Sequence, residues 1–135
     1  TTGTIRISTS FNLCAATQTL VQELSNLTRA GDLTAVSTEA AAGDVSRADF
    51  IRRIERIEYE TGVRNVLTAF DACKTRWGCP QGATSEKEWA RNVRGFDDYF
   101  ARLLSNTHKE HYGTFWDTHY KAAYDRKHPP AGGRP

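Results

Sequence analysis

The stretch "SRADFIRRIERIEYETGVRNVLTAFDACKTRW", residues 46–77, decides the fold class. Phe50, Ile51, Ile54 and Ile57 recur at steps of one, three and three, which places them on one face of a helix. Val63, Val66, Leu67, Phe70, Cys73 and Trp77 continue at helical spacing to Gly78. Ser46 followed three residues later by Asp49 resembles a capping box and marks the start. Gly62 falls between the two apolar sets and is a candidate break.

Working outward, the same period recurs on both sides. Leu13, Thr17, Leu20, Leu24 and Leu27 form a stripe that predicts a helix ending near Gly31. Residues 32–45 are rich in Ala and Thr, with Gly43, and fit either a short helix or a loop. Downstream, Pro80 and Gly82 in "CPQGATS" make a turn, and Ser85 with Glu88 forms a second capping box. Trp89, Val93, Phe96, Phe100, Leu103 and Leu104 mark the face of the next helix. Ile5 and Ile7 alternate with polar residues only in the first ten positions, an extended arm. The end, "HPPAGGRP", cannot pack as a helix. The expected architecture is all-α: an antiparallel four-helix bundle with an extended N-terminal arm, a single domain over 1–128, and a disordered, flexible Pro/Gly tail over 129–135.

Composition narrows the function classes. The chain has 135 residues, 39% hydrophobic and 25% charged, with a net charge of +2, enough for one domain with a real core. No apolar run approaches the ~20 residues of a membrane span, so no membrane partner is expected. The modest charge gives a polyanion partner little support by itself; what matters is where the arginines cluster. Cys14, Cys73 and Cys79 make an odd count, which argues against a closed disulfide framework. Cys73 and Cys79 could bridge locally, but Cys14 and Cys73 both fall on apolar helix registers, and reduced thiols are the expectation.

Four constellations could carry chemistry. His108, Glu110, His111, Asp117 and His119 mix imidazole with carboxylate, a donor set that suits Zn²⁺. "HKEH" lacks the HExxH spacing, and the plainer reading is a polar, aromatic surface at a helix end, so no metal and no cofactor are expected. Cys, His and Asp occur without a nucleophile signature, and no Gly-rich phosphate loop is present, so no enzyme is expected. The mixed charges of Arg52, Arg53, Glu55, Arg56 and Glu58 read as a solvated helix face with intrahelical pairs. Lys74 and Arg76 precede the Pro80–Gly82 turn, and Arg91 and Arg94 follow it, so the turn would gather four cations in one region. Lys and Arg can neutralise phosphates. The neighbouring Asp97 and Asp98 could accept hydrogen bonds from ribose 2′-hydroxyls, or simply pair with the arginines.

Three pieces of the second half, taken together in order and spacing, resemble the coat proteins of rod-shaped positive-strand RNA plant viruses, the tobamovirus and tobravirus group. "VLTAFDACKTRW" (66–77) is similar to the end of the family's third bundle helix, "VRGFDD" (93–98) to the Asp-Asp element that opens the fourth, and "HYGTFWDTHYKAAY" (111–124) to the aromatic segment after it. Thr114 and Asp117 stand where the family has Arg and Glu, and the Arg-Phe-Pro strand region has no counterpart here. The resemblance implies a structural virion protein, assembled in the host cytoplasm, whose subunits stack into a helical rod around single-stranded RNA. It implies phosphate contacts by Lys74, Arg76, Arg91 and Arg94, ribose contacts by Asp97 and Asp98, and a structural ion pair between Asp71 and Arg102. Two other readings compete: a small helical protein–protein interaction module without nucleic acid, and a metal-dependent enzyme using His108, His111 and His119.

Overall fold

The computed structural model of the protein describes residues 13–76, 91–103 and 106–129. The N-terminal arm, the turn with its second capping box, Cys79 and all of the tail but Pro129 lie outside these residues. Among them every regular element is helical: α1 (Leu13–Thr28), α2 (Ala30–Ala41), α3 (Arg47–Glu58), α4 (Arg64–Arg76), the short α5 (Phe96–Asp98), α6 (Asn106–His119) and α7 (Lys121–Lys127). None of these helices is long and apolar enough to cross a membrane.

Ser46 caps α3 as its spacing predicts: its backbone is extended, and its Oγ accepts from the Asp49 N–H at 3.2 Å. Gly62 does not break the chain. It sits in a π turn, Tyr59–Val63, whose flanking residues stay right-handed, so α3 and α4 run into one another. A Cβ on Gly62 would stand 3.4 Å from Gln22 Cγ, so the glycine lets α1 lie close against the turn. α1 ends at Thr28, near Gly31 as expected, and Gly31 falls in the first turn of α2, which makes residues 32–41 helical and leaves 42–45 as the turn that leads to α3. Arg91 and Asn92 lie in a 3₁₀ turn, residues 93–95 interrupt it with Gly95 at φ 122°, and the α-helix begins at "FDD". It continues as a second π turn, Tyr99–Leu103.

One core cluster joins Val36 and Ala40 of α2, Val45, Phe50, Ile54 and Ile57 of α3, and Trp116 of α6. The Trp116 indole N–H donates to the Val45 carbonyl at 3.1 Å, so the large ring is buried without stranding its donor. A second cluster joins Val63, Phe96 and Tyr99. Each large apolar side chain so buried is worth about 1.5–3 kcal/mol.

The α1 stripe faces the wrong way for a core. Leu13, Leu20, Leu24 and Leu27 are exposed, at 70, 38, 49 and 51%. Cys14, Gln18 and Ser25 are the buried positions, turned toward α4, where Asn65 Nδ2 donates to Ser25 Oγ at 2.9 Å. The same seam corrects the expectation of reduced thiols at Cys14 and Cys73. Both lie on the facing sides of α1 and α4, where their sulfurs meet, and they are paired as a disulfide.

Candidate functional site

The sites begin with the arginine-rich face of α3. Its charges pair mainly between elements rather than within the helix. Arg53 forks onto Glu39 of α2 at 2.6 and 3.0 Å, and this guanidinium holds the Glu39 carboxyl below the usual carboxylate range. Arg52 reaches Asp97 at 2.5 Å and Arg56 reaches the same carboxylate at 3.7 Å. Arg52 and Arg56 also lie over the Phe96 ring, 5.3 and 4.7 Å from its centre. Phe100 sits between Arg52 and Lys109, at 5.3 and 4.6 Å. In "GFDDYF" the Phe96 ring and the Asp97 carboxylate face the same two arginines, Arg52 and Arg56, a geometry that gains from both cation–π and ion-pair attraction.

The cations singled out by sequence come together in part. Arg91 forks onto Asp71 of α4, Nη1 to Oδ2 at 3.1 Å and Nη2 to Oδ1 at 2.7 Å. Asp71 lies one turn before Lys74, so this pair fixes Arg91 near the end of α4, and the chain then runs back along the helix, where Val93 packs with Leu67 and Val63. Lys74 and Arg76 are exposed at the end of α4, with the Lys74 ammonium 4.8 Å from the Phe70 ring centre. Arg94 is exposed, and its backbone N–H donates to Asp98 Oδ2 at 3.0 Å. Asp71 therefore has Arg91 as its partner; the side chain of Arg102, the partner implied by the resemblance, lies outside the described residues. Asp97 faces α3 rather than open solvent alone.

The histidines do not converge. His111 packs edge-on to Tyr112 and His119 leans on Phe115, both on the exposed side of α6. Glu110 and Asp117 are both taken by Arg47, at 3.1 and 3.0 Å. His108 alone turns inward, and its Nδ1 lies 2.6 Å from Glu55 Oε1.

That contact opens a site which the charge pattern concealed. Glu55 is fully buried and Glu58 is 9% exposed. Tyr99 OH donates to Glu55 Oε2 at 3.5 Å, and Tyr112 OH donates to Glu58 Oε1. Burial, followed by the neighbouring carboxylates, holds both phenols well above their usual range, so they stay protonated as donors. Glu55, Glu58 and His108 each offer a ligand atom within 4.8 Å of the others. The signal was present in the sequence: Glu55 and Glu58 stand at Ile51+4 and Ile54+4, on the apolar register, and the mixed-sign reading of "RRIERIE" masked it.

No protein-family model, no curated protein and no solved structure matches the chain.

Proposed function

We propose that the chain is a structural coat subunit that self-assembles into a helical rod and encapsidates single-stranded RNA through backbone contacts. The observation that carries this reading is the forked Arg91–Asp71 pair, because it holds the exposed Arg91 one turn before Lys74 and Arg76 at the end of α4. Exposed cations strung along α4 and the segment that folds back beside it, Lys74, Arg76, Arg91 and Arg94, suit a phosphate track, and contacts of that kind position RNA without reading its sequence. Asp97 is shared with Arg52 and Arg56. Phosphates that draw off those arginines free its carboxylate for ribose 2′-hydroxyls.

Self-assembly is supported by the outward leucines of α1. Leu13, Leu20, Leu24 and Leu27 recur at steps of seven, four and three, and a second copy of the chain would bury them. In the four-helix arrangement that belongs to this proposal, α1 packs on α4 and α6 on α3, leaving the leucine face as the contact between subunits.

The test separates the two halves. Replacing Arg91 and Arg94 with Ala should lower the RNA content of assembled particles while circular dichroism stays that of the parent. Leu20→Glu with Leu24→Glu should abolish particles and leave helicity intact. Unchanged RNA content in the first variant overturns the RNA assignment, and undiminished particle formation in the second overturns the subunit contact.

A further inference from the structure

From the buried cluster on α3 and α6, independently of the assembly proposal, we infer that Glu55, Glu58 and His108 form a binding site for one divalent transition-metal ion, with Zn²⁺ as the ion best matched by the donors. Glu55 and Glu58 come from one face of α3, three residues apart, and His108 reaches them from α6. Two carboxylate oxygens and one imidazole nitrogen are a donor set used by zinc, and three protein ligands leave a fourth position for water. The group is not a surface acidic patch: neither carboxylate is more than 9% exposed, and His108 is only half-buried, which leaves an approach from its side. Interior carboxylates of this kind are held either by paired partners or by a metal.

Two further features fit an ion at this point. The outer oxygens of both carboxylates are oriented by phenols, Tyr99 on Glu55 and Tyr112 on Glu58, as metal-binding carboxylates are held by hydrogen bonds from behind. Both π turns also touch the cluster. The first starts at Tyr59, directly after Glu58, and the second starts at Tyr99. Single π turns inserted in α-helices recur at functional sites, because the extra residue re-aims side chains. The adjustment needed is small. Tetrahedral ligands at about 2.0–2.1 Å from zinc stand roughly 3.3 Å apart. His108 Nδ1 and Glu55 Oε1 must therefore open from 2.6 Å, and the widest pair must close from at most 4.8 Å.

Titration calorimetry with Zn²⁺ and absorption spectroscopy with Co²⁺ on the full chain test this. We expect one equivalent bound, a Co²⁺ visible spectrum of nitrogen and oxygen ligation without a thiolate charge-transfer band, and a higher melting temperature with Zn²⁺ than with chelator. Glu58→Gln and His108→Gln should each weaken binding by at least about tenfold, and Tyr112→Phe by about tenfold through loss of orientation. The paired change His111→Ala with His119→Ala, both outside the cluster, should leave the affinity as it was. Should Glu58→Gln fail to fold by circular dichroism, Tyr112→Phe and His108→Gln decide. No binding by the parent, binding unaffected by these changes, or binding lost with His111 and His119 overturns the assignment.

Discussion

Replacing Gly43 with Ala tests how α7 is docked. Gly43 lies just beyond α2 with φ 78°, in the left-handed region, where a side chain costs about 1–2 kcal/mol. A Cβ there would stand 2.7 Å from the Ala123 carbonyl oxygen and 3.0 Å from its carbon. Both atoms are backbone, so α7 must retreat. Retreat loosens the hydrogen bond from His128 Nε2 to the Gly43 carbonyl, 3.2 Å, and the Lys127–Asp44 pair beside it, together worth about 1 kcal/mol. The lower entropy of the unfolded Ala chain returns about 0.4–1 kcal/mol. The net loss is about 2 kcal/mol. With an unfolding entropy of about 2.1 cal/mol/K per residue, that lowers the melting temperature by about 7 °C. Scanning calorimetry reads it directly, with Gly31→Ala as the control. Gly31 is helical with nothing within 4 Å of the added Cβ, so that variant should gain up to about 1 kcal/mol. A Gly43→Ala protein that melts at or above the parent temperature would refute the docking of α7 against the end of α2.

Reducing the Cys14–Cys73 disulfide, or replacing both with Ala, should cost roughly 4 kcal/mol for a closed loop of this span of 59 residues; denaturant titration measures it, and alkylation of both cysteines in the unreduced, unfolded protein would contradict the pairing. Carbon-detected NMR titration should find Glu39 protonating below the ordinary glutamate value, and Arg53→Ala should return it to that value. The stability from this pair is present above the ordinary value and lost as pH falls through the lowered one. A double-mutant cycle on Asp71 and Arg91 should give a coupling of at most about 1 kcal/mol, since both ends are partly exposed; a coupling several times larger would show a buried pair.

The helical class and the α3–α4 core were legible because Phe50, Ile54, Ile57, Val66 and Phe70 obey one period and are buried. Orientation was less legible. The leucines of α1 satisfy the same period, but periodicity marks an apolar face without saying what covers it, and here the small and polar residues Cys14, Gln18 and Ser25 are the ones buried, with Gln22 and Asn26 against Gly62. One glycine misled for a related reason: Gly62 reads as a break, yet it relieves crowding within a continuous helix. The expected turn pointed to Arg91 meeting the end of α4 but not to Asp71 as its partner, which the resemblance assigned to Arg102, and the Glu55–Glu58–His108 cluster spans more than fifty residues of sequence and depends on how α6 packs on α3. An odd cysteine count could not reveal which two of the three cysteines would meet.

The most direct test of the account is electron microscopy of the purified protein with single-stranded RNA, followed by nuclease digestion of the same sample. The account predicts extended rods whose RNA survives digestion. Dispersed single subunits, with the RNA fully degraded, would contradict it.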